Sequence, residues 1–178
     1  MRTTLALVLF ATAGGCSAQL YGTGTLYVWN GTDQAVEVHV EGRTTTDVAV
    51  RPQSGTAVRE IVAGPYQLLV KRGAAVAGVV GTEVTAERLT VFNVDAAGCF
   101  ARVDIAGMYS RGKPPVELKQ VYPKDAVLSI PEEIGVLPGE RPPTTRPRSG
   151  FGFFRVIVVP CDIVNDDWKV EDFAKNLK

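Results

Sequence analysis

The clearest pattern in this chain is a period of two. Residues 35–41 alternate without a break, with Val36, Val38 and Val40 on one side and Glu37, His39 and Glu41 on the other. Successive strand side chains point to opposite faces, so this run predicts a strand with one buried and one wet face, ended by Gly42. Similar short runs surround it. Residues 25–30 are β-branched and aromatic and lead into the turn signal Asn30-Gly31-Thr32-Asp33. Residues 46–51 stop at Pro52, 57–62 at Gly64-Pro65 and 66–72 at Gly73. A glycine-interrupted run at 76–84 and a run at 88–94 follow. Within 99–108, Ala101, Val103 and Ile105 alternate against Arg102 and Asp104, and 116–122 is a further strand. Strands this short, with no long helical period between them, predict a mostly β fold, an antiparallel β-sandwich, and argue against a parallel α/β sheet.

Two segments break the rhythm. Residues 131–150 hold Pro131, Pro138, Pro142, Pro143 and Pro147 with Gly135 and Gly139 between them, which predicts a loop or semi-rigid linker. Loops of this length in a compact domain tend to be functional or disordered. The chain then returns to an apolar, β-branched run at 152–159, which suits a buried strand. At the C-terminus, Val170, Phe173, Ala174 and Leu177 fall at i, i+3, i+4 and i+7, predicting one short amphipathic helix. Asn165 or Asp166 would cap it, Glu171 and Asp172 lie early, Lys175 and Lys178 lie late, and Trp168 is placed to lock it to the body. The expected organisation is one sandwich domain over 25–178.

The N-terminal residues read as an address rather than as fold. Arg2 precedes the apolar stretch 5–11, which is too short to span a bilayer and reads as an export signal. It ends in Ala13-Gly14-Gly15-Cys16, which resembles the lipobox of bacterial lipoproteins, although Ala13 stands where Leu is most often found. The resemblance implies a signal peptide over 1–15, a diacylglycerol on the Cys16 thiol, a fatty acyl chain such as palmitate on the new amino group, and a tether over 16–24. Ser17 is not the Asp that retains such proteins in the inner membrane, so the resemblance implies the outer membrane. Ala11-Thr12-Ala13 offers the alternative of cleavage for simple secretion. The three cysteines bear on the choice: lipid on Cys16 leaves Cys99 and Cys161 as an even pair, free to form a disulfide in an oxidising compartment. Two separate buried thiols are the alternative.

Charge narrows the partners. With 19 Lys and Arg against 19 Asp and Glu, the chain has neither a nucleic-acid footprint nor a polybasic membrane patch. Glu37, His39 and Glu41 form E-x-H-x-E on one strand face, a spacing that can chelate zinc, though a solvated face explains it more simply. Arg141, Arg146 and Arg148 stand among prolines beside Phe151, Phe153 and Phe154. They are candidates for binding an acidic partner or a proline-reading groove, against a plain connector. No G-x-S-x-G, zincin or paired-cysteine motif is present, and no catalytic residue or cofactor is implied. The strand Val36-Glu37-Val38-His39-Val40-Glu41-Gly42 and the later Gly64-Pro65-Tyr66-Gln67-Leu68-Leu69-Val70 resemble the small β-sandwich modules of the PEGA type over residues 26–71. That likeness implies a fold and no activity. The expected function is a non-enzymatic binding or structural module anchored at the cell envelope. The alternatives are an accessory subunit of an envelope complex, or a metal-binding or hydrolytic protein using the His39 face.

Overall fold

The computed structural model describes residues 21–110, 116–131, 134–145 and 153–176. In chain order the strands are β1 Thr23–Asn30, β2 Val36–Gly42, β3 Thr46–Val50, β4 Ser54–Val62, β5 Gly64–Arg72 and β6 Ala75–Val84. They continue as β7 Arg88–Asn93, β8 Cys99–Asp104, β9 Glu117–Tyr122, β10 Val127–Pro131, β11 Ile134–Val136 and β12 Phe154–Val159, and the chain ends in the helix α1 Asp167–Lys175. Among the described residues the fold is mostly β with one short helix at the C-terminal end, as the sequence pattern predicts.

The strands form three four-stranded sheets, ordered β10-β7-β1-β4, β3-β2-β5-β6 and β11-β12-β8-β9. Their buried faces define the stacking. Leu26, Val28 and Phe92 from the first sheet pack with Val38, Val40, Leu68 and Val70 from the second. Tyr27, Leu89 and Val91, on the opposite face of the first sheet, pack with Phe100, Phe154 and Val156 from the third. Ala101, Val103, Ile157 and Val159, on the far face of that third sheet, pack with Val170 and Ala174 of α1. The β10-β7-β1-β4 sheet is therefore central, buried on both faces, and the layers run sheet, sheet, sheet, helix. This explains why residues 25–29 carry almost no polar side chain: a strand covered on both faces reads as a continuous apolar run.

Most pairs are antiparallel, but β1 pairs with β7 and β11 with β12 in parallel. The β1–β7 pair is possible because the long excursion through β2–β6 returns the chain in the same direction. Two fully buried asparagines end these neighbouring strands. The Asn30 amide donates to the carbonyls of Gln34, Val50 and Arg51, and its Oδ1 accepts from the amide and hydroxyl of Thr32. Asn93 donates to the carbonyls of Gly98 and Asp125 and accepts from the Gly98 amide. Each turn is thus closed by a side chain that stands in for backbone partners.

Several expectations are corrected. The strand expected over 99–108 ends at Asp104, whose carboxylate accepts from the Ala106 amide at 2.7 Å and starts a 3-10 turn over Ala106–Tyr109. Residues 127–131, left unassigned by the sequence pattern, form edge strand β10, with Leu128 and Ile130 buried and Pro131 at its end, where no ladder donor is needed. The span 131–150 is not wholly loop, because Ile134–Val136 adds β11 beside β12. Trp168 does not lock the helix. It is 68% exposed, while Val170 and Ala174 make the contact and Asp166 caps the N-terminus through the Lys169 amide.

Cys99 and Cys161 form a disulfide. Cys99 opens β8 opposite Val159 at the end of β12, so the bond clasps the ladder just beyond its last pair.

Candidate functional site

A concavity with built walls lies over β4, at the edge of the central sheet. Its volume is about 490 Å³, within the range of small-ligand sites. The floor comes from the central sheet, where Tyr27 sits opposite Ala57 and Trp29 opposite Gly55 in the β1–β4 register. One wall is β12, through Arg155, Ile157 and Val158, and the other is the turn 137–140. Glycine is required in the floor: a Cβ on Gly55 would lie 2.0 Å from the Tyr27 hydroxyl, so the tyrosine ring occupies the space a side chain would fill. The indole of Trp29 meets Phe100 edge-on, with ring centroids 6.4 Å apart, and its nitrogen backs against Gly31 and Gly98.

The turn that forms the second wall follows from its sequence. Pro138 and Gly139 occupy the two central positions, Gly139 takes φ +84°, and the Glu140 amide donates to the Leu137 carbonyl, the signature of a type II turn. Three side chains pin it to the body. The Tyr27 hydroxyl donates to the Pro138 carbonyl at 3.1 Å, Arg59 donates to Glu140 Oε1 at 2.7 Å, and Arg155 donates to the Glu140 carbonyl at 3.3 Å. The second oxygen of Glu140 accepts from the Leu137 amide at 2.9 Å. Further along, Tyr109 donates to the Pro143 carbonyl. The described part of the proline-rich span is therefore docked on the sheets, in place of the free linker its composition suggested.

Charge at the cleft is unbalanced. Arg59 and Glu140 neutralise each other. Arg155 has no carboxylate partner among the described residues, and its buried Nε has no hydrogen-bond acceptor among them. Burial holds its pKa below the ordinary guanidinium range. The Tyr27 phenol is pushed well above its ordinary value, first by burial and then by the Glu140 charge, and so stays neutral.

The described residues among those singled out from sequence fall elsewhere. His39 Nδ1 lies 2.7 Å from Asp47 Oδ1 on β3, directly across the ladder, and Glu37 pairs with Lys71 on β5. Strand register thus gives two of the three E-x-H-x-E groups cross-strand partners, and no cluster of three potential metal ligands occurs among the described residues. Arg141 is exposed at the end of the pinned turn. Arg146, Arg148, Phe151 and Cys16 lie outside the described residues. Phe153 packs on Tyr109, and the Arg102 guanidinium stacks over Phe154. The cleft residues were not singled out from sequence. Its only local signal was Pro138-Gly139, and no spacing links that turn to Tyr27, Gly55 and Arg155.

No family model, curated protein or solved structure matches this chain. Among the described residues, no helix is long and apolar enough to cross a membrane.

Proposed function

We propose that this chain is an exported, lipid-anchored envelope protein whose β body is a non-enzymatic binding module, and that the cleft over Tyr27, Gly55 and Ala57 is where it binds. The observation that carries the reading is the cleft itself. Its walls are mainly apolar, its polar groups are few, and it is built on two sheets and a turn held by three side-chain bonds. The two groups there that could serve as a base are committed to structure. Glu140 is held by Arg59 and the Leu137 amide, and Tyr27 by the Pro138 carbonyl, which leaves neither poised as a general base. The address is supported by the 5–16 pattern ending at Cys16 and by a disulfide of a kind that persists in oxidising compartments.

Two measurements test the two halves. Intact mass of the protein from the membrane fraction should give a chain beginning at Cys16 and carrying a diacylglycerol and an acyl chain. An unmodified chain beginning at Gly14 overturns the anchor. For the cleft, the Cys16→Ala, Trp168→Phe chain leaves Trp29 as the single tryptophan. Titration with the neutral dye N-phenyl-1-naphthylamine should show saturable, one-to-one energy transfer from Trp29 that Ala57→Phe abolishes. Absence of saturable binding, or binding unchanged by Ala57→Phe, overturns the binding reading.

A further inference from the structure

We infer that the cleft selects an amphiphilic anion: a compact apolar body carrying one negative group, of which an aliphatic carboxylate is the simplest member. The inference rests on the cleft being a binding site and adds what it binds.

Three observations lead to it. First, the floor of Tyr27, Trp29 and Ala57 and the walls of Ile157, Val158 and Pro138 offer apolar and aromatic surface to a ligand body. Second, the charged side chains lining the cleft are Glu140 and Arg155, and they are not equivalent. Glu140 is neutralised by Arg59 from outside the lining and accepts from the Leu137 amide, so both its oxygens are occupied. Arg155 gives one Nη2 bond to a neutral carbonyl, at the long distance of 3.3 Å, and pairs with no carboxylate among the described residues. The local sum is one positive charge. Third, that charge is partly withdrawn from water, which is the physical cause of its lowered pKa. A half-buried guanidinium without a counter-ion is costly, and an anion with fork geometry relieves that cost more fully than water does. The apolar surroundings lower the effective dielectric and strengthen the attraction.

The geometry also limits size and charge. A volume of about 490 Å³ holds a small molecule or one chain end, and a single negative group matches the one uncompensated positive charge. A dianion is therefore disfavoured relative to a monoanion.

The test compares two dyes of nearly the same shape in the non-lipidated Cys16→Ala, Trp168→Phe chain. 8-Anilinonaphthalene-1-sulfonate carries one negative charge; N-phenyl-1-naphthylamine is its neutral counterpart. Wild-type wall residues should bind the anion about 10–100-fold more tightly, the range expected of one charge-assisted contact, and the difference should shrink as salt rises. Arg155→Gln should erase the preference while leaving the neutral dye bound, and Arg155→Lys should keep most of it. Neutral-dye binding in Arg155→Gln shows that the cleft has survived. The wild-type ratio and its salt dependence need no variant at all. Decanoate and an acetylated tetrapeptide ending in Leu are then offered as competitors against the bound anion. Displacement by decanoate points to a free fatty acid, displacement by the peptide but not its C-terminal amide points to a chain end, and either supports the inference. Equal affinity for the two dyes, or displacement by neither competitor, overturns it. Failure of both dyes to bind instead removes the binding reading beneath it.

Discussion

Breaking the Cys99–Cys161 bond is the perturbation with the most direct magnitude. The two residues are 62 apart in sequence, and the closed loop contains β8 through β12. Cross-linking removes loop-closure entropy from the unfolded chain, and for a loop of this length the chain-entropy relation gives about 14 cal/mol/K, or about 4 kcal/mol at 25 °C. At this chain length that corresponds to roughly 8–16 °C in Tm. Cys99 is 1% exposed, so Cys99→Ser would also bury a hydroxyl and confuse the reading. Reduction of the unaltered pair is the cleaner perturbation, and the exposed Cys161 gives reductant access. The assay is urea unfolding of oxidised and reduced protein, followed by intrinsic fluorescence. The reduced form should unfold at lower urea with a larger m-value, because the unlinked chain exposes more surface when unfolded. Extrapolated stabilities that agree within about 0.5 kcal/mol would show that the bond does not restrict the unfolded chain and refute the reasoning.

Three further outcomes are expected. Asn30→Ala should cost about 3 kcal/mol in urea unfolding, because it strips the side-chain donor from three carbonyls, one bond of which is fully buried; a loss under about 1 kcal/mol would mean that water replaces the amide. Tyr27 keeps its proton in the fold, first through burial and then through Glu140, so its contribution is fully present below pH 10.0, the ordinary tyrosine value, and is lost as pH rises beyond it. Tyr27→Phe should lower stability at pH 7 by about 1 kcal/mol and flatten the alkaline decline, so parallel pH–stability curves for the two proteins would count against the assignment. His39→Ala should change stability by less than about 1 kcal/mol, since its pair with Asp47 is open to solvent, and isothermal titration should find the same zinc uptake in both proteins; a tight site lost with His39 would contradict the cross-strand pairing.

Particular elements show where the sequence could be read and where it could not. The 36–42 strand was legible in full, because burial of one face forces valine and polar residues to alternate. The C-terminal helix was legible in its cap and its Val170–Ala174 face, yet Trp168 was misplaced, since a large apolar side chain packs only where the body reaches it. β10 and β11 were missed because five- and three-residue strands carry too few alternations to stand out, and prolines around them read as linker. The disulfide followed from an even pair of cysteines in a chain read as exported, while its place at the end of the β8–β12 ladder did not.

By itself, then, the order of residues determined which faces are apolar, where most strands stop, and that the body is mostly β. It did so because a strand's sequence records the burial of its own two faces. Only the tertiary structure decided which strands share a sheet, that three sheets stack with β1 in the middle, and that Tyr27, Gly55, Glu140 and Arg155 meet around one cleft. Such meetings depend on how far one sheet extends over the next, and no local pattern encodes that. Hence the feature the sequence displayed most openly, the His39 face, is not the one the fold gathers into this cleft.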